Sequence, residues 1–186
     1  MFGTGAMASL VGARLERARP GAVTLAGTWP GALDAIRRRG LTVEEGGEAW
    51  RARPRAADLE AAPPADLALV LVKSWRTADV APHVARALAP GGLALTLQNG
   101  LGNAEALAEC VGADRVLRGV TSAGALLLGP GRVRATGDGP TWLDAGGPAS
   151  GRAAELAELL TGAGIAAAPA EDFEPVVWRK LTVNCA

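Results

Sequence analysis

Lys180 and Asn184 stand four residues apart in Trp178-Arg179-Lys180-Leu181-Thr182-Val183-Asn184, and on a helix that spacing makes them neighbours. An ammonium with an amide one turn away suits holding a substrate oxygen and handing it a proton, although a solvated helix face would carry the same pair. At the other end of the chain, Gly3-Thr4-Gly5-Ala6-Met7-Ala8 fits G-x-G-x-x-A. There Gly3 permits a tight turn, Gly5 lets backbone approach a pyrophosphate, and Ala8 lets the following helix pack closely on a sheet. The helix start then offers free N–H groups and a positive dipole end to phosphates. A glycine-rich turn without function also fits a chain so rich in Ala and Gly.

Three further positions lie between these ends. Lys73 directly follows the apolar run Leu67 to Val72, where open α/β sheets bind ligands, and a solvated strand-end lysine fits the same pattern. Gln98-Asn99-Gly100 closes the next apolar run, and Asn and Gly suit a plain turn there as well as a site. After a strand near Ala22 to Ala26 comes Gly27-Thr28-Trp29, neither acidic nor basic. An acidic residue at that point would select the ribose hydroxyls of NAD and an Arg would accept the 2′-phosphate of NADP. Thr28 suits a hydrogen bond to a phosphate and Trp29 suits flanking an adenine; an exposed turn explains both equally.

The elements that must position these residues alternate. Met7 to Ala18 carries Met7, Leu10, Val11 and Leu15 at helical spacing. Leu33 and Ile36 mark a brief helix closed by Gly40. Leu67 to Val72 and Leu93 to Leu97 read as strands buried on both faces, as in a parallel sheet. Asn103 is expected to cap a helix ending near Gly112. Val116 to Leu128, Arg132 to Thr136 and Thr141 to Asp144 read as strands, the first two joined at Gly129-Pro130-Gly131. Ser150 is expected to cap a helix over Gly151 to Leu160, and Ile165 to Ala168 forms a last strand. Asp172 caps a final helix from Phe173, with Pro175 tolerated in its first turn. On that helix Val177, Trp178, Leu181 and Cys185 share a face expected to pack inward, with Lys180 and Asn184 on a different one. Glu44 to Pro64 reads as an exposed connection. The whole is an α/β fold with a mostly parallel sheet. A two-residue Met1-Phe2 segment before Gly3 leaves the central strand of such a sheet nearly absent.

Composition narrows the function classes. With 19 basic and 19 acidic residues, no basic excess argues for nucleic acid or an anionic membrane surface. No apolar run approaches the roughly 20 residues that span a bilayer, and no secretory signal is visible. One His and two Cys, Cys110 and Cys185 far apart, make a metal site an unpromising reading and a reduced cytoplasmic protein with small buried thiols the plain one. His83, beside Pro82 in an expected helix, reads as a surface residue.

Taken in order, these stretches resemble ketopantoate reductase (2-dehydropantoate 2-reductase) over nearly the whole chain. The likeness rests on Gly3-Thr4-Gly5-Ala6-Met7, Leu69-Val70-Leu71-Val72-Lys73 with Thr77, Leu95 to Asn103, Gly119-Val120-Thr121, Gly129 to Val133, and Trp178-Arg179-Lys180-Leu181 with Val183-Asn184. The Gln-Asn-Gly turn and the Trp-Arg-Lys helix are the most specific of these. The resemblance implies an NADP(H)-dependent oxidoreductase that reduces the small 2-keto acid 2-dehydropantoate to (R)-pantoate, toward pantothenate and coenzyme A. It implies Lys180 as general acid, Asn184 as a substrate ligand and Asn99 at the junction of cofactor and substrate. Lys73 would reach the cofactor near its nicotinamide end and Ala125 would line the cofactor site through its backbone. A related 2-keto acid dehydrogenase of the β-hydroxyacid type and a non-catalytic NADPH-binding module are the other readings.

Two departures qualify that likeness. The family's usual Arg after the second strand is missing, which bears on NADP preference. The family also continues into a helical second domain with further substrate-binding residues, an acidic one among them, and much of the dimer contact. Residues 1–169 are therefore expected to form the Rossmann-type NADP-binding domain and residues 170–186 the start of the helical one. The reading expects a sequence truncated at both ends, with a gap in mid-sheet, an uncovered apolar helix face and little activity by itself; the parent enzyme would be a monomer or homodimer.

Overall fold

The computed structural model describes residues 1–185, with side chains through residue 183. In the first half the elements are α1 (Ala6–Ala18), β1 (Thr24–Gly27), α2 (Pro30–Arg39), β2 (Leu41–Glu45), β3 (Glu48–Ala52), β4 (Arg55–Asp58), β5 (Ala65–Val70), α3 (Thr77–Ala87) and β6 (Leu88–Thr96). Then follow α4 (Asn103–Val111), β7 (Val116–Thr121), β8 (Gly124–Gly129), β9 (Arg132–Gly137), β10 (Thr141–Asp144), α5 (Ala153–Gly162), β11 (Ala167–Ala170) and α6 (Glu174–Cys185). Among the described residues no helix is long and apolar enough to cross a membrane.

The apolar runs form the main sheet. β5, β6 and β7 run parallel, β10 lies antiparallel to β7, and β11 lies parallel to β10. β1 and β4 make a separate parallel pair. Phe2 lies between the two groups, bridged in parallel to Ala26 on one side and Val70 on the other. Its N–H donates to the Leu69 carbonyl (2.7 Å) and its carbonyl accepts from Leu71 N–H (2.9 Å). On the opposite side Gly3 N–H donates to the Ala26 carbonyl (2.8 Å) and Ala26 N–H to the Met1 carbonyl (2.8 Å). The expected gap is thus closed at the carboxyl ends of β1 and β5. Two residues suffice there because a central strand pairs on both sides, so each peptide unit serves two neighbours.

A second sheet, in the order β3-β2-β9-β8, packs against the other side of α1. The reading of Glu44 to Pro64 as an exposed connection is corrected: that stretch holds β3 of this sheet and β4, which pairs with β1. Gly46 and Gly47 both take positive φ (60° and 85°), as a two-residue hairpin with the twist of its strands requires. The charges at the end of β2, where the stretch begins, have partners. Glu44 accepts from Arg132 (3.0 Å) and Arg134 (2.6 Å), which hold its carboxyl below the usual range. Arg14 of α1, only 4% exposed, is paired with Glu45 and Asp138.

Three apolar clusters fill the layers. α1 and α5 cover one face of the main sheet through Val11, Leu15, Leu156 and Leu160. α3 and α4 cover the other through Val80, Val84, Leu107 and Val111, with Phe2 in the same cluster. Leu10, Leu25, Ile36, Val43 and Val133 join α1 to the second sheet. Cys110 is exposed on α4 rather than buried. Val116 to Leu128 divides into β7 and β8. Ser150 starts a short 3-10 turn (Ser150–Arg152) and caps no helix, the N-cap of α5 being Arg152.

Phe2 is 3% exposed, so Phe2→Ala removes a core side chain from the junction of the two strand groups. A loss of roughly 3–5 kcal/mol in urea unfolding is expected.

Candidate functional site

The bridging of Phe2 delivers the glycine turn to the carboxyl ends of β1 and β5, with α1 starting directly behind it. Gly3 has φ 126°, and a Cβ there would stand 3.1 Å from the Leu71 carbonyl oxygen, so no other residue fits without strain. Gly5 is the N-cap of α1; no side chain caps it, and nothing lies within 4 Å of where its Cβ would be. The first turn of α1 holds no acidic residue, which leaves the helix start free to face an anion. Ala8 is fully buried behind the turn and serves packing, not lining. One requirement went unread in the sequence. A Cβ on Gly27 would meet Thr4 Cγ2 at 2.9 Å, so the glycine ending β1 is what lets Thr4 fold down into the turn.

An open cleft of about 540 Å3 lies over this turn. The turn residues Gly3 to Met7 line it together with Thr28, Lys73, Asn99 and Ala125, although these come from five separate segments. β8 of the second sheet brings Ala125 across the start of α1. Trp29, Trp75, Arg76 and Gln98 line the same cleft, and none of its lining residues is acidic. Asp58, level with Gly27 on the adjoining strand, is paired with Arg37 at 3.2 Å. These residues suit a dinucleotide: backbone amides for its pyrophosphate, aromatic faces for its base and cations for further phosphate.

A second, smaller cleft adjoins the first, and Gln98 and Asn99 line both. Lys180 lines this one with Arg118, Phe173, Val177 and Leu181. Lys180 therefore shares the half-buried face of α6 with Val177 and Leu181 rather than standing on a different face from them. Trp178 does not turn inward; it is 55% exposed, because only the edge of α6 nearest β7 meets the sheet. The side chains of Asn184 and Cys185 lie outside the described residues.

Asn99 is held by a chain of polar side chains. Thr96 Oγ1–H donates to Gln98 Oε1 (2.9 Å), and Gln98 Nε2 donates to the Val72 carbonyl (2.8 Å) and to Thr77 Oγ1 (2.9 Å). Thr77 in turn donates to Asn103 Oδ1 (2.9 Å), whose Nδ2 reaches the carbonyls of Asn99 (3.1 Å) and Gly100 (3.3 Å). Asn103 is the first residue of α4 and not its cap, which is Gly102; its side chain turns back to the loop instead. This network ties the segment carrying Lys73 to the one carrying Asn99. Gln98, Thr77 and Asn103 were unread as positioning residues, and their only sequence signal is polar side chains where a buried turn begins.

The chain contains just two lysines against 17 arginines. Both lysines, Lys73 and Lys180, line the paired clefts. Where a compact ammonium has been kept in so arginine-rich a chain, it stands at the site.

Residues 1–147 match the family model described as ketopantoate reductase PanE/ApbA. The chain belongs to this family. It is 40% identical over 185 residues to the 2-dehydropantoate 2-reductase of Halobacterium salinarum and 36% identical over 189 residues to that of Archaeoglobus fulgidus. It covers 98% and 100% of itself in these matches and 60% of each relative, so the chain spans about 60% of the length of these curated relatives. Among solved structures, 2-dehydropantoate 2-reductase from Geobacter metallireducens superposes with a TM-score of 0.85 at 31% identity, over 98% of this chain and 61% of that one. A ternary structure of D-mandelate dehydrogenase with NADH and anilino(oxo)acetate superposes with 0.91 at 25% identity, over 99% and 61%. The fold of this chain is α/β with a Rossmann-like arrangement at the glycine turn.

Gln98→Leu strips the donors to Val72 and Thr77 and leaves buried acceptors unmet, at an expected cost of about 1–3 kcal/mol in thermal or urea unfolding. Thr77→Val breaks the same chain, so a double-mutant cycle of the two is expected to show coupling of at least about 0.5 kcal/mol.

Proposed function

We propose that this chain carries the cofactor cleft and the proton donor of an NADPH-dependent reductase that converts 2-dehydropantoate to (R)-pantoate. The observation that carries the reading is the meeting of Lys180 and Asn99 in one small cleft that adjoins, at Asn99 itself, the cleft over the glycine turn. The bound nicotinamide would supply the hydride. Lys180 would donate a hydrogen bond to the keto oxygen and release its proton to that oxygen as the alcohol forms, its charge stabilising the developing alkoxide meanwhile. Asn99, its backbone fixed by Asn103, would orient the substrate against the cofactor. Asn184, one turn beyond Lys180, is proposed as a further substrate ligand. Gly3 to Met7 would hold the pyrophosphate, Thr28 and Trp29 the adenosine end and Lys73 the nicotinamide side, with Ala125 closing the cleft from the second sheet.

NADPH is favoured over NADH because no acidic side chain lines the cleft and Asp58 is engaged by Arg37. Residues 1–169 would form the cofactor domain and residues 170–186 open the helical substrate domain, within a cytoplasmic monomer or homodimer that feeds pantothenate and coenzyme A synthesis. A second reading, a dehydrogenase of another 2-keto acid that uses NADH, draws on the close superposition with D-mandelate dehydrogenase and on the absence of the family's usual Arg after the second strand.

Lys180→Ala is expected to lower kcat in the full-length protein by about a hundredfold or more while the dissociation constant for NADPH, read by tryptophan quenching, stays within about twofold. Lys180→Arg keeps the charge but not a transferable proton, and should recover little. Wild-type turnover of ketopantoate that falls below that of aromatic 2-keto acids, or tighter binding of NADH than NADPH, would shift the assignment to the second reading. For residues 1–186 by themselves, NADPH binding with little ketopantoate-dependent oxidation is expected.

A further inference from the structure

We infer that Arg118 is a positioning residue for Lys180, acting through the first turn of α6; the inference rests on the reading of Lys180 as proton donor. Arg118 projects from β7 and its guanidinium joins two other elements. Nε donates to Asp144 Oδ2 (2.8 Å) and Nη2 approaches the same oxygen at 2.7 Å, on the adjacent strand β10. Nη1 donates to Glu174 Oε1 (2.9 Å), the first residue of α6. The guanidinium carbon stands 5.2 Å from the centroid of the Phe173 ring, over its face. Asp144 is 3% exposed, and its other oxygen accepts from Gly146 N–H (3.0 Å), so the sheet side of this clamp is fixed. Phe173, 4% exposed, is the fixed point on the helix side.

The rest of α6 is held weakly. Beyond Phe173 no described residue of this helix is fully buried; Val177 and Leu181 are half-buried and Trp178 and Val183 exposed. Lys180 follows Glu174 by six residues, about 9 Å along the axis. A tilt of about 6° at the clamp would therefore carry Lys180 about 1 Å along the small cleft. A displacement of that size is enough to cost on the order of a hundredfold in rate. An arginine suits the task because its planar fork addresses two carboxylates at once, which a lysine does not. With its fork engaged by carboxylates, Arg118 is not free to take the carboxylate of a 2-keto acid, although it lines the same cleft as Lys180.

Glu174→Gln tests this, since Glu174 is 57% exposed and its replacement takes the charge from only the α6 arm of the clamp. In the full-length protein a fall of about tenfold in kcat is expected, with KM for the keto acid and the dissociation constant for NADPH within about twofold. Arg118→Gln should fall at least as far, and the double variant no further than Arg118→Gln alone. A readout independent of turnover uses the two lysines. After reductive 13C-methylation of residues 1–186 they give two side-chain signals besides the terminal amine; in Glu174→Gln the Lys180 signal is expected to move while that of Lys73 stays. Unchanged kcat together with an unchanged Lys180 signal overturns the inference. A raised KM with unchanged kcat also overturns it, by making Arg118 and Glu174 substrate ligands. Intact turnover in Lys180→Ala defeats the proton-donor reading instead, and the methyl signals then still report whether the clamp places Lys180.

Discussion

The peptide groups of Met1, Phe2 and Gly3 hydrogen-bond to both β1 and β5, and the placement of the larger cleft follows from that shared pairing. Without it the β1–β4 pair and the five-stranded group would be separate sheets. With it the glycine turn arises in the middle, at the carboxyl ends of the strands, and α1 begins where its unbonded N–H groups face the cleft. The same placement sets Thr28 to one side of the turn and Lys73 to the other. Phe2 anchors the arrangement by burying its ring among Val70, Val80 and Leu107 on the α3–α4 face.

Polar side chains then refine what the strands place coarsely. The Thr96–Gln98–Thr77–Asn103 chain crosses from the end of β6 to the end of β5, so the loops carrying Asn99 and Lys73 are tied to one another. On the far side of Asn99 the placement is ionic: Arg118 joins β7, β10 and α6. The two clefts are thus built by different physics, one by a buried hydrogen-bond network and the other by a half-exposed charge clamp on a lightly packed helix.

Patterns that depend on near neighbours in sequence were legible. The glycine turn, the α1 periodicity and the runs around Leu69 and Leu95 are of this kind, because burial on both faces or on one stripe writes itself into consecutive residues. Features defined by distant partners were not. Phe2 is a strand only because Ala26 and Val70 flank it. β3 and β4 hide in a charged stretch whose neighbouring strand carries Glu44 and Glu45, and the partners of those two, Arg132, Arg134 and Arg14, lie far off in sequence. The inward turn expected of Trp178 failed for a related reason: helical spacing shows which residues share a face but not which face meets the sheet. Asn103 sat at the right end of α4, yet its side chain answers to Thr77, Asn99 and Gly100, a demand no helix rule contains.

The larger cleft runs across the seam between β1 and β5, and so over the narrowest join in the fold. A dinucleotide lying there would touch Thr28 and Trp29 on one bank and Lys73 and Asn99 on the other, with only a two-residue strand beneath it. Its binding free energy would then add directly to the cohesion of the two banks. In thermodynamic language the ligand would become a structural strut, raising the free energy of any local opening at that seam.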